Sequence, residues 1–250
     1  MSVAPLGLII PNWPAPSWVR AGSTTRSGGI SNGVFASLNL GDHVGDNPAL
    51  VAENRALLQK LANLPAEPAW LQQVHGTDVL QLSTWQGHVV AADASTSLQA
   101  GQVCLVMTAD CLPALFCCTK SKQVAAAHAG WRGLCDRILE KTLAHFPDPS
   151  TVLVWLGPCI GPSAFEVGEE VRQQFLAHDS SAALAFAPSE NPGKWLANLP
   201  MLAKQRLVAA GAAKIYGGDR CTFSESEHFF SYRRDGQTGR MASFIYIQAD

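Results

Sequence analysis

The sequence predicts a single mixed α/β domain over residues 1–250, and three observations lead to that prediction. First, three short runs of apolar and β-branched residues, at 103–107, 114–118 and 124–127, lie between turn signals and are typical of buried strands. Second, segments with a helical period of apolar residues alternate with such runs along the chain. Third, no repeat, low-complexity stretch or linker divides the sequence, so one core is expected.

Composition favours a globular protein that acts on small ligands. The chain has 250 residues, 47% of them hydrophobic, and a formal net charge of -2. This balance gives no indication of a nucleic-acid partner or of an acidic membrane surface. The apolar runs are far shorter than the roughly 20 residues of a membrane-spanning helix, and the first residues lack the basic segment of a secretory signal. Seven cysteines in no paired pattern suit a reducing compartment, so we expect a cytoplasmic protein.

The first part of the chain combines strands, glycine-rich loops and one helix. The helix is expected from about residue 49 to 61, because Asp46-Asn47-Pro48 supplies cap residues and the apolar residues that follow keep a period near 3.6. Apolar runs bounded by Pro or Gly predict strands, and polar stretches punctuated by Gly predict loops. The expected strands are 6–10, 19–25, the first part of 69–76, 79–82 and 87–92, and the expected loops are 26–33 and 93–97.

The remainder of the chain alternates helices and strands after the three central runs. A polar turn at 119–122 joins two of those runs as a hairpin, and a stiff Gly/Pro turn is expected at 157–162. Periodic segments predict helices, and continuous apolar runs predict strands. The helices are expected at 134–146, 166–177 and 199–210, the strands at 152–156 and 214–217, the least regular segment at 180–194, and a closing hairpin at 229–234 with 241–247.

Three residues with reactive or metal-binding side chains lie at predicted strand ends: His75, Cys111 and His128. Chain corners beside a sheet expose a side chain while the strands fix its position. A His-Cys-His set matches the three protein ligands of a catalytic zinc site, which leaves a fourth position for water or substrate. The same residues fit a second hypothesis, in which Cys111 is a nucleophile and His128 is its base. No short spacing pairs two of them, so the residues alone leave both hypotheses open.

Two arginines, Arg26 and Arg132, are candidates for binding an anionic substrate. Arg26 begins the glycine-rich loop at 26–33, whose backbone amides could form an anion-binding concavity. Arg132 follows His128 by four residues. A guanidinium offers a planar fork of donors that suits phosphate or carboxylate. The competing explanations are a wide solvated turn for the loop and a surface salt bridge for Arg132.

Five ordered motifs carry a resemblance to a known family over nearly the whole chain. They are QVHG at 73–76, TADCLP at 108–113, AHAGWRG at 127–133, GPCIGP at 157–162 with FEVG at 165–168, and SYRRDG at 231–236 with GRM at 239–241. Together they resemble the YfiH-type family of laccase-domain, or multicopper polyphenol oxidase-like, proteins, which are described as purine nucleoside phosphorylases. The resemblance implies a mixed-sheet α/β sandwich similar to that of cytotoxic necrotising factors. Phe165 departs from the usual Tyr, which matters only if a phenol hydroxyl contacts the ligand.

The resemblance also implies an activity and a cofactor. Family members bind Zn²⁺ at positions that correspond to His75, Cys111 and His128, and these three are the expected catalytic and metal residues. The implied substrates are phosphate and the nucleosides adenosine, inosine, guanosine and S-methyl-5′-thioadenosine, with adenosine deamination as a further activity. Phosphorolysis requires an anion contact near the ribose, for which Arg26 and Arg132 are the candidates.

The groups that transfer protons stay open. Asp93, Asp110 and His43 are the candidates, because a departing purine needs an acid. The pairing of His-x-Glu with Pro-Cys-x-x-Cys that marks zinc deaminases is absent from the sequence. Any deamination would therefore use a different kind of site.

Three alternatives to the phosphorylase remain. Some relatives are implicated in peptidoglycan editing, in which a zinc amidase would remove a wrong amino acid from a muramyl precursor with the same three ligands. Copper-dependent polyphenol oxidation is expected to be unimportant, because the chain has 7 His and no His-x-His pair. Cu²⁺ could still load the site opportunistically, since affinity follows the Irving–Williams order. A non-enzymatic zinc-binding protein would have a closed fourth coordination position.

Overall fold

The computed structural model describes residues 7–212 and 214–249 of the chain. The helices there are α1 (Pro48–Leu61), α2 (Trp131–Cys135), α3 (Ile138–Leu143), α4 (Glu169–His178), α5 (Leu199–Ala209) and α6 (Tyr232–Asp235). The strands are β1 (Leu8–Ile9), β2 (Val19–Thr24), β3 (Val79–Gln81), β4 (Ala94–Ser97), β5 (Val103–Thr108), β6 (Leu112–Cys118), β7 (Val124–Ala129), β8 (Val152–Leu156), β9 (Glu166–Gly168), β10 (Phe186–Pro188), β11 (Lys194–Ala197), β12 (Lys214–Gly217) and β13 (Met241–Ile247).

The strands form three sheets, which confirms the predicted mixed α/β class. A four-stranded sheet has the order β1-β2-β13-β5 and is antiparallel throughout. A six-stranded sheet has the order β12-β8-β6-β7-β4-β3, with parallel pairs at both edges and antiparallel pairs between them. The third sheet, β10-β11-β9, is small and antiparallel.

The two larger sheets pack face to face, and the side chains of β6 show how. Successive residues of a strand point to opposite faces. Leu115 of β6 packs with Val106 of β5 and Ile245 of β13, in the cluster that fills the space between the two sheets. Phe116 points the other way and packs with Leu139 of α3 in the cluster beneath the helices. Because both faces of β6 are covered, its sequence is an almost continuous apolar run.

Helix α1 covers the outer face of the four-stranded sheet and confirms the helix predicted at 49–61. The Asn47 side chain accepts a hydrogen bond from the amide of Ala49, and Pro48 occupies the first helical position. Leu58 of α1 is fully buried and packs with Leu105 and Phe244. The order of layers is therefore helix, sheet, sheet and helices. No helix in the described ranges combines the length and the hydrophobicity that a membrane crossing requires.

The prediction for residues 87–97 was wrong. The structure has no strand over 87–92, where only Ala91 forms an isolated bridge with Gln72, and it places strand β4 in the segment predicted to be a loop. The strand predicted to begin at 69 is likewise reduced to that bridge. Three of the four side chains of β4, Ser95, Thr96 and Ser97, are polar but buried, and Thr96 donates a hydrogen bond to the carbonyl of Val124. The Ser97 hydroxyl likewise donates to the carbonyl of Gln99, so polar composition concealed a buried strand.

Several helix boundaries also differ from the predictions. The helix expected at 134–146 is divided into α2 and α3, because Arg137 adopts the left-handed conformation with φ +77°. The segment 166–177 begins as strand β9 and becomes helical only at Glu169. Residues 180–194, expected to be least regular, contain a 3₁₀ helix over Ser180–Ala185 and strand β10.

The closing hairpin predicted for 229–234 and 241–247 does not form. Strand β13 instead inserts between β2 and β5. Phe229 and Phe230 are fully buried and pack with Met241, and the Ser231 side chain caps α6. The first strand predicted, at 6–10, is present over Leu8–Ile9, and Leu6 lies outside the described residues.

Candidate metal centre

The register of β6 and β7 brings Cys111 and His128 to the same edge and the same face of the six-stranded sheet. Pro113 pairs with His128, and Cys111 directly precedes β6. Residues two apart on a strand share a face, so Cys111 has the orientation of Leu115 and His128 has that of Ala126. Leu115 and Ala126 both lie in the cluster between the two larger sheets. The two functional side chains therefore face that space at its edge.

Asp93 fixes the positions of His128 and His75. The pairing of β4 with β7 puts Asp93 opposite His128, whose amide donates to the Asp93 carbonyl at 2.7 Å. Nδ1 of His128 donates to the buried Asp93 carboxylate at 2.8 Å, since an ionised carboxylate can only accept. The same carboxylate accepts hydrogen bonds from the three successive amides of residues 74–76, at 3.2, 3.0 and 2.7 Å. One buried carboxylate thus orients the His128 ring and the backbone that carries His75.

The His75 ring completes a three-donor cluster. His75 has φ +59°, a left-handed conformation that the amide contacts with Asp93 support. Its Nε2 lies 3.7 Å from Sγ of Cys111, and its ring meets that of His128 edge-on with centroids 4.9 Å apart. One donor atom each from His75, Cys111 and His128 lie within 4.8 Å of one another. The three residues singled out in the sequence are brought together.

In the absence of a metal, the surroundings favour the ionised forms of Cys111, His128 and Asp93. Burial would raise the pKa of the Cys111 thiol, but the charges and hydrogen bonds of His128 and His75 lower it to about 6. Burial would lower the pKa of His128, but the Cys111 thiolate and the Asp93 carboxylate raise it to about 9. Burial would likewise raise the pKa of Asp93, and the contact with His128 holds it below its usual value.

The donor set fits a zinc ion with an open coordination position. Nδ1 of His128 is committed to Asp93, which leaves Nε2 as the ring nitrogen that can bind a metal, with release of its proton. A ligating histidine is commonly oriented by a carboxylate in this way. His75 is exposed, Cys111 is half-buried and His128 is buried, so the cluster opens to solvent on one side. These observations fit a catalytic site better than a closed structural one, while the ligand roles stay a prediction.

Among the glycines of the described residues, Gly130 is the one where an added Cβ would collide with His75 or Cys111. A Cβ at Gly130 would lie 2.5 Å from Cδ2 of His75 and 3.1 Å from Sγ of Cys111. Its backbone has φ -62° and ψ 159°, which any residue adopts. The requirement for glycine is therefore steric, and it allows β7 to end against the cluster.

Asp110 shapes the backbone on the other side of Cys111. It has φ +91°, which is uncommon for a residue other than glycine. Its carboxylate accepts hydrogen bonds from the Thr222 hydroxyl at 2.6 Å and from the Arg233 amide at 2.7 Å. These contacts tie the turn before β6 to the C-terminal part of the chain and set the direction of the Cys111 side chain.

The two arginines predicted to bind an anion lie outside the His-Cys-His cluster. Arg132 is exposed on α2, and its guanidinium lies 4.4 Å from the centre of the Trp131 ring. Arg26 donates to the carbonyls of Ala36 at 3.0 Å and Ser226 at 3.1 Å and lines a surface cavity of about 320 Å³. Among the described residues, neither guanidinium forms a hydrogen bond with the cluster. Their roles stay predictions.

Arg240 is a half-buried cation near Cys111 that the sequence patterns did not indicate as a site residue. Burial lowers its pKa, and the negative charges of Cys111 and Asp110 oppose that shift. Its guanidinium donates to the carbonyls of Thr238 and Gly239 at 3.0 Å. Arg240 directly precedes β13, which pairs with β5. The GRM motif at 239–241 is part of the family resemblance, but only the pairing of β13 with β5 brings Arg240 close to Cys111.

The three residues considered for proton transfer have different surroundings. Asp93 and Asp110 are buried, and their carboxylates already accept several hydrogen bonds, which suits positioning roles. His43 has an exposed ring that lies 3.5 Å from Asp42. It lines a cavity of about 650 Å³ together with Arg55 and Trp70. His43 is therefore the candidate most open to solvent.

Comparisons with known proteins extend over almost the whole chain. Residues 20–248 match the family described as "Multi-copper polyphenol oxidoreductase laccase". The chain is 56% identical over 241 residues to "Purine nucleoside phosphorylase YfiH" of Escherichia coli, a match covering 96% of this chain and 98% of that protein. It is 51% identical over 242 residues to a protein of Haemophilus influenzae named "Purine nucleoside phosphorylase", covering 96% and 99%. A crystal structure of a Neisseria meningitidis protein superposes with TM-score 0.93 at 46% identity, covering 97% of this chain and 100% of the other.

Proposed function

The chain belongs to the multi-copper polyphenol oxidoreductase laccase family, and we propose that it acts as a purine nucleoside phosphorylase. The observation that carries the proposal is its near-full-length identity with relatives named for that activity. The convergence of His75, Cys111 and His128 supports it, because it provides an open, charged site at a sheet edge. The five sequence motifs resemble this same family.

The proposed reaction exchanges one bond at C1′ of the ribose. The bond between C1′ and the purine nitrogen breaks, and a phosphate oxygen forms the new bond to C1′. The electron pair of the broken bond leaves with the purine, which takes up a proton. The products are the free base and ribose 1-phosphate. The protein must therefore bind an anion beside the sugar and supply a proton to the base.

We propose Zn²⁺ as the resident ion, held by Nε2 of His75, Sγ of Cys111 and Nε2 of His128. When bound there, the ion would supply a Lewis acid at the open side of the site. Asp93 would keep the His128 ring in the orientation that presents Nε2, and it would hold the turn of His75 through the amides. The thiolate form that the surroundings of Cys111 favour is the form that binds a metal.

Anion binding is proposed for Arg26 and Arg132, with Arg240 as an additional cation on the Cys111 side. Arg132 lies on α2, which begins immediately after Gly130 at the cluster. Arg240 lies near Cys111 and Asp110 and is half-buried, so it can act in a partly desolvated site. Charge-assisted hydrogen bonds from guanidinium to phosphate are among the stronger ones available to proteins.

The proposed substrates are adenosine, inosine, guanosine and S-methyl-5′-thioadenosine, which share a purine on a ribose. Adenosine deamination is proposed as a second reaction, in which water replaces the amino group and ammonia leaves. The two activities are separable by their co-substrates, since phosphorolysis consumes phosphate and deamination does not.

The test is the dependence of adenosine conversion on phosphate, measured with purified, zinc-loaded protein. We expect adenine and ribose 1-phosphate in equal amounts, formed only when phosphate is present, and inosine in its absence. Conversion of a seryl muramyl precursor with no action on adenosine would replace the proposal with the amidase. Oxygen consumption with a polyphenol and no action on adenosine would replace it with the oxidase. No turnover in any of these assays would favour a zinc-binding protein without catalytic activity.

A further inference from the structure

A second cluster of metal-binding side chains lies at the junction of α2 and α4. Cys135 is the last residue of α2, Asp136 follows it, and His178 is the last residue of α4. One donor atom from each of these three side chains lies within 4.8 Å of the others. We propose that Cys135, Asp136 and His178 bind a second Zn²⁺ ion.

The three side chains have no competing partners. Within the described part of the chain, neither the Cys135 thiol, the Asp136 carboxylate nor the His178 ring forms a hydrogen bond or an ion pair. Cys135 is 1% exposed, so its sulfur forms the buried end of the group, and Asp136 and His178 form the exposed end. The three side chains therefore offer an uncommitted ligand set at the junction of two helices.

The chemistry of the donors favours zinc. Thiolate, imidazole and carboxylate are the three ligand types that Zn²⁺ accepts in proteins. One thiolate and one carboxylate together neutralise the charge of a divalent ion. Asp136 and His178 are exposed, so the ion can enter from solvent, and water can occupy the fourth position.

The surroundings do not oppose a cation. Arg206 of α5 donates to the Cys135 carbonyl at 2.6 Å, but its guanidinium is also paired with Glu140 at 2.7 Å. His178 ends a helix of ten residues, where the carbonyl ends of the helix dipole favour positive charge. The His178 ring lacks the carboxylate partner that orients His128, so we expect weaker binding here than at the first site.

A bound ion would have a structural consequence for the first site. Helix α2 starts directly after Gly130, whose backbone lies against His75 and Cys111. Joining the end of α2 to α4 would hold that helix and the strand end before it. The proposal concerns metal binding alone and does not rest on the phosphorylase activity.

The test is the number of metal ions bound by metal-free protein titrated with Zn²⁺ and, in parallel, with Co²⁺. We expect two saturable equivalents in the wild type and one in His178→Ala and in Asp136→Asn, both of which change exposed side chains. Cys135→Ser should also bind one equivalent and lose the thiolate-to-cobalt absorption that belongs to the second equivalent. His88→Ala changes another exposed histidine and should keep two.

One saturable equivalent in the wild type that is retained in His178→Ala and in Asp136→Asn would overturn the proposal. Two equivalents in both His178→Ala and Asp136→Asn would do so as well. Since both variants retain Cys135 and its packing, their result does not depend on whether Cys135→Ser folds. Calorimetry and elemental analysis of the same samples provide two independent measurements of the number of bound ions.

Discussion

Asp93 is the residue on which the geometry of the first site depends. Its carboxylate accepts a hydrogen bond from Nδ1 of His128 and from three amides around His75, while its own carbonyl accepts from the His128 amide. The sequence indicated Asp93 only as a possible proton-transfer group. Its positioning role could not be predicted, because it arises from the pairing of β4 with β7 and β4 has no apolar pattern.

Asp93→Asn should weaken zinc binding without unfolding the protein. An amide cannot reproduce both the charge and the full set of accepting contacts, so His128 loses its orientation. Substitution of such an outer residue typically lowers metal affinity roughly 10–100-fold. Competition with a chromophoric chelator measures the change in affinity, and Asp78→Asn, which alters an exposed carboxylate, is the control. Equal affinities in the two variants would remove Asp93 from this role.

Arg26→Ala and Arg132→Ala should chiefly raise the KM for phosphate. Hydrogen bonds to charged groups contribute about 1.5–3 kcal/mol each, which corresponds to roughly tenfold or more in KM. Steady-state rates at fixed adenosine and varied phosphate provide the measurement. Lys204→Ala removes an exposed cation on α5 and should leave phosphate dependence unchanged. Phosphate dependence equal to that of the wild type in both arginine variants would exclude them as anion contacts.

Two neighbouring strand ends and the helix after them form the framework of the site. Strands β6 and β7 are apolar, local in sequence and joined by a short turn, and they were predicted within two residues of their observed ends. The convergence of Cys111 with His128 follows from that hairpin. The position of His75 does not follow from that hairpin, since it depends on a turn held by Asp93.

Elements with long-range or polar partners were the ones that sequence patterns missed. Strand β13 pairs with β2 and β5, both far away in the chain, so a local hairpin was the wrong prediction. Strand β4 has buried Ser and Thr side chains and resembles a loop in composition. The break between α2 and α3 lies at Arg137, whose positive φ has no signal in the sequence.

Gly130→Ala should disrupt the site at the junction of β7 and α2. The added methyl group would lie 2.5 Å from the His75 ring, which must then move. A displacement of about 1 Å at a catalytic group can cost on the order of a hundredfold in turnover. Gly101→Ala adds a methyl group where no atom lies within 4 Å, so its activity should be retained even though φ is positive. Full activity and full zinc affinity in Gly130→Ala would contradict the described packing.

At the scale of the whole molecule, the site lies where several layers meet. Cys111 and His128 extend from the six-stranded sheet, Asp110 is tied to Thr222, and Arg240 precedes a strand of the four-stranded sheet. A metal ion at this edge would bind only the folded protein, because the unfolded chain does not hold its ligands together. An ion that binds the native state and not the unfolded state must stabilise the native state.

Removal of zinc should therefore lower the Tm. With free zinc at a hundred times Kd, the stabilisation is about 2.7 kcal/mol, which for a chain of this size corresponds to roughly 5–10 °C. The comparison is best made in the His178→Ala background, which isolates the first site. Scanning calorimetry should show the shift there and show none when Cys111→Ser is added. A Tm that does not respond to zinc would contradict a site formed by folding.

The proposed function requires that catalysis occurs at a zinc ion held by His75, Cys111 and His128. Its most direct test measures zinc content and phosphate-dependent turnover of adenosine on the same samples, from metal-free to fully loaded protein in the His178→Ala background. We expect turnover to rise in proportion to bound zinc, and Cys111 to resist alkylation once zinc is present. Full turnover in metal-free protein, with rapid alkylation of Cys111 in the presence of zinc, would contradict the claim and favour Cys111 as a nucleophile with His128 as its base.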